Sequence, residues 1–391
     1  MANNSSIADT LGAEPARVFR PDTAPELADA VRDAGAAGLA VIPHGGGTGQ
    51  DYGYPPDAPG GFALLDTNAL NRIVAVEPGD LTITVEAGVT LAAVQAALAP
   101  HGLFLPLDPP NPEWTTVGGV LAVNATGASR LGYGTARDWL IGLTVIDGNG
   151  RTITGGGKVV KNVTGYDLPK LHVGALGTLG VITEATFKVA PLPETERTVV
   201  ITLEPGEDAG MNSFVDAVLR SAAPTQGYWR TDGSGSHLVF VCAGFREAVD
   251  EGIGRIREQA RSLEAEGATV SVFDERLDAR EDAAPFSLRI LGMPAGDAER
   301  HQKVAALAGD ATVRTLLGSG ITEVMGTEPA RAADLLADGA AFTWTHALLG
   351  VRRAGLRVWS PEPRSLPLMR RMKAALDPER RLNPGRFVGR I

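Results

Sequence analysis

In the first half of the chain, apolar residues come in short runs, each closed by glycine, proline or a polar pair. The β-branched runs in VFRP, LAVIP, FALLD, RIVAVE and LTITVEAG predict five short strands, with EPGD as the turn between the last two. Between the first two strands, Leu27, Val31 and Ala34 recur at helical spacing, with Asp22 or Thr23 placed to cap the helix. Thr90 stands in the same relation to a second helix, whose Leu91, Val94 and Leu98 share one face. Further on, WLIGLTVIDGNGRTIT predicts a hairpin turning at Asn149-Gly150, and VITEATFKV another strand. The alternation is irregular and predicts an α+β fold, not a regular doubly wound sheet.

After VAPLPETE the pattern changes. RTVVITLE, HLVFVCAG, ATVSVFD, SLRILGMP and ITEVMG read as strands, with FREAVDEGIGRIREQARSLEAEG as a long helix among them. SLPLMRRMKAALD predicts a last helix, stopped at Asp377-Pro378 and followed by an extended tail. The expected organisation is an arm over 1–16, a first domain over 17–192, a cap over 193–365, and a helix and tail over 366–391 that return to the first domain.

Composition adds limits more than identity. The 391 residues carry a net charge of −10, with 44% hydrophobic and 21% charged residues, as in an ordinary globular protein. That acidity argues against nucleic-acid binding, because the phosphate backbone would be repelled. Cys242 is the only cysteine, which excludes an intramolecular disulfide and an iron–sulfur cluster held by this chain. The opening MANNSSIADTLG has no basic segment leading into an apolar one, and no run is long enough to span a bilayer. The expected location is cytoplasmic, with any membrane association peripheral and through partners.

Glycine is the informative excess, with 48 residues. VIPHGGGTGQDYG leaves the second predicted strand with a backbone nearly free of side chains. Such a run serves either as a turn or as a nest of amides around an anion, and these residues alone permit both. Two more segments of small residues follow, PLDPPNPEWTTVGGVLAVNATGASRLGYG and GGGKVVKNVTGYDLPKLHVGALGTLGVI. Three such segments converging on one ligand suit a dinucleotide, whose pyrophosphate needs close backbone approach. The nicotinamide fingerprint is excluded because the glycines run into QDYGYPPDAPGG, which cannot open a helix. GGGKVV lacks the spacing and the hydroxyl of a P-loop.

Together these segments resemble the FAD-binding domain of the vanillyl-alcohol oxidase / p-cresol methylhydroxylase superfamily. Within it, they are similar to glycolate oxidase and D-lactate dehydrogenase flavoproteins, and in length to the smaller FAD-binding subunits of bacterial glycolate oxidases. The resemblance covers about residues 17–190, weakens over 197–365 and partly returns at LDPERRLNPGRF. It implies a two-part FAD-binding domain of the PCMH type with a smaller α+β cap. It further implies that Gly45, Gly46, Gly47, Thr48 and Gly49 cradle the pyrophosphate. Asp108, Thr116, Gly118, Gly119, Asn124, Gly127, Tyr133 and Gly134 match a second flavin-binding segment. Gly177, Gly180, Val181 and Ile182 match a third, at the adenosine half. Lys161, Asn162, Tyr166 and Asp167 belong to a family signature without an assigned role. Many members attach FAD covalently to a histidine after the first glycines; Thr48 stands there in this chain, so the FAD is expected to be noncovalent. His44, before the glycines, is expected to orient the loop by hydrogen bonding.

Oxidising a 2-hydroxy acid needs a cation for the carboxylate and a base for the hydroxyl proton. Catalytic relatives carry a histidine-rich motif in the second domain, and this chain does not. His237, His301 and His346 are isolated, so no metal site is expected. His346 and Arg352, in THALLGVRR, are the weak catalytic candidates, against a plainer reading as strand and turn. The resemblance therefore implies an FAD-binding oxidoreductase subunit acting on glycolate- or D-lactate-type acids. Its partners would be a larger FAD-binding subunit and an iron–sulfur subunit. Two alternatives stay open: a self-sufficient FAD-dependent dehydrogenase or oxidase of another small hydroxy acid or alcohol, and an interaction subunit whose FAD is structural.

Overall fold

The computed structural model describes residues 10–157, 167–203, 210–265, 267–277, 286–326, 341–347 and 358–391, the stretch 341–347 by its backbone alone. Strands β1 (Arg17–Phe19), β2 (Ala40–His44) and β3 (Phe62–Asp66) form a parallel sheet in the order β1-β3-β2. Helix α1 (Ala24–Ala36) covers it, capped by the Thr23 hydroxyl, which accepts from the Glu26 amide. Leu27, Val31 and Ala34, the stripe read from the sequence, are wholly buried against Val41, Ala63 and Leu65.

A second, antiparallel sheet comprises β4 (Ile73–Glu77), β5 (Thr82–Glu86), β6 (Leu140–Ile146), β7 (Thr152–Gly156) and β8 (Val181–Lys188), in the order β4-β5-β8-β6-β7. The β6–β7 hairpin turns at Asn149-Gly150, where Gly150 has φ +72° and the Asp147 carboxylate accepts from the amides of Asn149 and Arg151. Helices α2 (Leu91–Leu98) and α3 (Val117–Val123) pack on this sheet through Leu91, Val94, Val117, Val120 and Leu121. Thr90 and Thr116 cap them, each accepting from the amide three residues on. The one-turn helix α4 (Arg130–Tyr133) follows.

From residue 195 the chain builds one nine-stranded sheet. Its strands are β9 (Thr195–Leu203), β10 (Gln226–Asp232), β11 (Gly235–Gly244), β12 (Thr269–Phe273), β13 (Phe286–Leu291), β14 (Thr312–Leu316), β15 (Ile321–Met325), β16 (Ala341–Ala347) and β17 (Trp359–Ser360). Their order is β12-β9-β11-β10-β14-β15-β13-β16-β17. Helices α5 (Met211–Ser221), α6 (Arg246–Ala265) and α7 (Asp297–Ala308) cover one face. The opposite face meets the first domain, where Tyr228, Val239, Leu316 and Ile321 pack on Ala128. β10 and β14 were not among the strands expected from the sequence.

The last helix, α8 (Leu366–Leu376), stops before Asp377, as expected. Its Lys373 is buried and donates to Asp377 Oδ2 at 2.6 Å and to the carbonyls of Thr178 and Leu382 at 2.7 and 2.8 Å. Asp377, wholly buried, accepts from the amides of Arg381 and Leu382. This pair fixes the tail beside β2, where the amide of Val41 donates to the carbonyl of Arg381.

Candidate functional site

A cleft of about 690 Å³, counting its open mouth, lies between the two sheets of the first domain. One wall is the loop leaving β2, with His44 to Gln50; a second is α3, with Thr116, Gly118, Gly119, Ala122 and Val123. A third is the loop entering β8, with Leu176, Gly177, Gly180, Val181 and Ile182. The three small-residue segments separated in sequence are thus brought to one place.

The amides of Gly45, Gly46, Gly47, Thr48 and Gly49 donate to no other group among the described residues. Five successive donors lining a cleft form an anion nest, and buried or half-buried amides are otherwise nearly always paired. Glycine is required here by space as well. A Cβ on Gly46 would collide with the Trp114 carbonyl, and one on Gly45 would stand 2.5 Å from Thr116 Oγ1. Gly47 has φ +79°, a conformation side chains disfavour. The Thr48 hydroxyl lies 3.2 Å from the Thr115 hydroxyl, whose single proton is donated to the Pro110 carbonyl at 2.7 Å. These groups fit the pyrophosphate of a dinucleotide.

His44 does not orient the loop through its ring, which makes no hydrogen bond among the described residues. Its carbonyl does so instead, accepting from the amide and the hydroxyl of Thr67 at 2.8 and 3.1 Å. Burial lowers the pKa of the ring, Asp66 opposes this and Arg386 adds to it, so the imidazole facing the cleft is neutral at pH 7.

The other expected positions divide. Asp108, Asn124, Gly127, Tyr133 and Gly134 are not among the cleft's lining residues. Asp108 is occupied by its own segment, accepting from the amides of Gly127 and Ser129 at 3.1 and 2.8 Å. A Cβ on Gly127 would meet that carboxylate. The Tyr133 ring packs edge-on against Phe104 and its carbonyl accepts from Trp139 Nε1. Gly134 has φ +80° and Asn124 φ +53°, so both serve turns, although Asn124 Oδ1 is buried without a partner among the described residues. His346 falls in β16, in register with Ser287, and its side chain is not described. Arg352, Lys161, Asn162 and Tyr166 lie outside the described residues. Asp167 forms an ion pair with Lys170 at 2.7 Å.

Sequence reasoning missed Gln50, Asn383 and Arg386, which complete the lining. Arg386 is buried and donates from Nη1 to Gln50 Oε1 at 2.9 Å, from Nη2 to the Gln50 carbonyl and from Nε to the Tyr52 carbonyl. Asn383 Nδ2 donates to the Leu176 carbonyl at 2.7 Å, joining the tail to the third wall. The signal for Asn383 and Arg386 is the segment LDPERRLNPGRF, where the resemblance partly returns, although nothing in it singles out these two residues.

The comparisons with known proteins agree with this geometry. The FAD binding domain matches residues 15–156, and the C-terminal domain of FAD linked oxidases matches residues 344–387. Fold and cleft therefore define a flavoprotein, with FAD as the cofactor of its first domain. Residues 344–387 are similar to the C-terminal domain of FAD linked oxidases, at the far end of the chain from the FAD binding domain. Glycolate oxidase subunit GlcD of Bacillus subtilis (strain 168) is 36% identical over 210 residues, 54% of this chain and 44% of that protein. Glycolate oxidase subunit GlcE of Escherichia coli (strain K12) is 42% identical over 130 residues, 33% of this chain and 37% of that one. The chain thus spans less than half the length of either. D-lactate dehydrogenase of Archaeoglobus fulgidus is 28% identical, across 96% of this chain and 91% of that protein. Among solved structures, 4-ethylphenol oxidase from Gulosibacter chungangensis superposes with a TM-score of 0.72 at 16% identity, covering 97% and 91% of the two chains, a likeness of fold.

Proposed function

We propose that this chain is the FAD-binding subunit of a 2-hydroxy-acid dehydrogenase complex of the glycolate or D-lactate type, carrying its FAD noncovalently. The observation that carries the reading is the run of five unpaired amides, Gly45 to Gly49, set across the cleft from α3 and the 177–182 loop. When bound, FAD supplies the hydride acceptor for oxidation of the hydroxyl carbon. The chain's own contribution is to hold that cofactor. Gly45–Gly49 and the Thr48 hydroxyl take the pyrophosphate, Gly177–Ile182 flank the adenosine half, and Arg386 fixes the first loop from beneath. No histidine occupies the position after the glycines, which supports noncovalent attachment. Partial similarity to two glycolate oxidase subunits supports a place in a complex with a larger FAD-binding subunit and an iron–sulfur subunit. A cytoplasmic location, peripheral to a membrane through those partners, belongs to the same reading; no described helix is long and apolar enough to cross a membrane.

A second reading, a self-sufficient dehydrogenase, is favoured by one observation. The cap turns a buried arginine cluster, Arg289 and Arg314 with Glu323, toward the first domain. Anaerobic addition of glycolate or D-lactate to the FAD-loaded chain separates the two. Flavin absorbance that persists until partner subunits are added supports the complex. Bleaching in the chain alone overturns that reading in favour of the second.

A further inference from the structure

The cleft offers a dianion few cations. Of the residues that line it none is acidic, and His44 and Arg386 are the two that carry or can acquire positive charge. Helix α3 and the 176–182 loop, its other two walls, contain no charged residue. Arg386 brings one fixed charge, with its guanidinium committed to the Gln50 side chain and to the carbonyls of Gln50 and Tyr52. The pyrophosphate of FAD carries two negative charges. The side chains of the cleft therefore leave one of them without a counter-charge while His44 is neutral, and a partly desolvated charge left so is costly.

His44 stands where it can supply the second charge. It closes β2 immediately before the glycine nest, so its ring and the five amides open onto the same cleft. Its Nε2 lies 3.5 Å from the position that a Cβ on Gly47 would occupy, which sets the ring alongside the nest. Neither ring nitrogen has a hydrogen-bond partner among the described residues. Two charged groups act on the ring. Asp66, on the neighbouring strand β3, favours the protonated form, but its carboxylate also serves Arg20 at 3.6 Å and Asn68, whose amide and Nδ2 donate to it at 3.1 and 2.7 Å. Arg386, from the tail, disfavours that form, and burial disfavours it most. An anion held by the nest reverses this balance, because a nearby negative charge stabilises the imidazolium.

We infer that His44 is the second cation of the pyrophosphate site: its ring takes up a proton from solvent as FAD binds, so that retention of the cofactor depends on pH. The inference rests on the reading of the cleft as the FAD site. The proton adds to the ring alone, and no bond of the cofactor changes. Histidine suits this role because a single neighbouring ion moves its charge across neutral pH. The sign of the linkage is definite. The pKa of the ring lies below 6.5 in the unliganded chain and is raised by the bound dianion. Between the two values, binding tightens by up to about tenfold for each pH unit of acidification. Affinity therefore falls as pH rises from 6 to 8. The other histidine near the cleft, His172, sits behind Gly180 and is held by burial at a pKa of about 4, so it stays neutral over that range.

The test titrates FAD into the flavin-free full chain by isothermal calorimetry between pH 6 and 8, in pairs of buffers that differ in ionisation enthalpy. The difference in heat between paired buffers should report net proton uptake near pH 7, and the dissociation constant should rise at least several-fold from pH 6 to pH 8. His44→Gln should abolish the uptake and flatten the pH profile. His44→Arg, a fixed cation, should also flatten it and bind FAD more tightly than the parent at pH 8, a gain that a merely structural histidine would not give. Proton uptake is read on the parent chain, so the outcome does not depend on either variant folding. Binding by the parent with no proton uptake and a flat profile overturns the inference, as does uptake that persists in His44→Gln. A chain that binds no FAD contradicts the assignment of the cleft and this inference with it, whereas a chain that binds FAD without protons contradicts the role of His44 alone.

Discussion

Gly46 has a main-chain carbonyl where a side chain would go. The Trp114 carbonyl is fixed by a turn in which the amides of Trp114 and Thr115 both donate to the Asn111 carbonyl, so it cannot yield as a flexible side chain would. Gly46→Ala must therefore shift one loop against the other, a distortion that costs about 1–3 kcal/mol or more. The measurable outcome is a lower urea midpoint together with loss of FAD uptake; normal uptake would show that the loop tolerates the change. Thr48→Ala keeps the loop and removes one donor. A hydrogen bond to a charged group is worth about 1.5–3 kcal/mol, so FAD dissociation measured by fluorescence recovery should weaken by roughly tenfold to a hundredfold. At this scale the nest was legible in the sequence because its signal is local: five residues, four of them glycine. Asn383 and Arg386 were not, because more than 300 positions separate them from Gln50 and only the folded chain brings them together.

Two elements owe their placement to buried polar groups. The tail that carries Asn383 and Arg386 is held by Lys373 and Asp377, and burial lowers the pKa of Lys373 against the opposing effect of Asp377. Lys373→Met leaves Asp377 buried and uncompensated, which costs about 3–5 kcal/mol. It should also weaken FAD binding, although Lys373 is not part of the lining; chemical denaturation with and without FAD checks both. Helix α7 is held by His301, which stacks on Trp229 with ring centres 4.2 Å apart. Its Nε2 and Nδ1 lie 2.8 and 3.0 Å from the hydroxyls of Thr231 and Thr315. Burial pushes its pKa from 6.5 down to about 3. The unfolded chain therefore takes up a proton below pH 6.5 that the folded chain refuses. This contribution to stability is complete above pH 6.5 and is lost as pH falls toward 3, at about 1.4 kcal/mol for each pH unit well below 6.5. Replacing His301 by Gln should reduce the slope of stability against pH between 6 and 4.5 by about that amount, and an unchanged slope would contradict it. Helices α1, α2, α6 and α8 were legible because their apolar stripes, and the threonine caps of the first two, are local. β10 and β14 were not, because Arg230, Asp232 and Arg314 interrupt them. Those residues occupy the face that meets the first domain, so these interrupted strands are the floor of the domain junction.

Across the whole molecule, the five-stranded, nine-stranded and parallel sheets are joined by a cofactor cleft and a tail that crosses from the cap back to β2. A fold built around such a cleft gains stability when it is filled. At a free FAD concentration of about a hundred times Kd the gain is about 2.7 kcal/mol, so a calorimetric scan should show Tm rising with added FAD, and a Tm indifferent to FAD would count against the cleft. The α+β class and the FAD-binding character were legible in the sequence through motifs spread across one domain. The order of the nine cap strands was not, since pairing between distant segments leaves no periodic trace. The measurement closest to the central claim is to load the purified full chain with FAD, remove the excess, record the flavin spectrum and then denature and filter the protein. One FAD per chain, released quantitatively into the filtrate, is the predicted result. A chain that takes up no flavin, or one that keeps it attached after denaturation, would contradict a noncovalent FAD held by Gly45–Gly49.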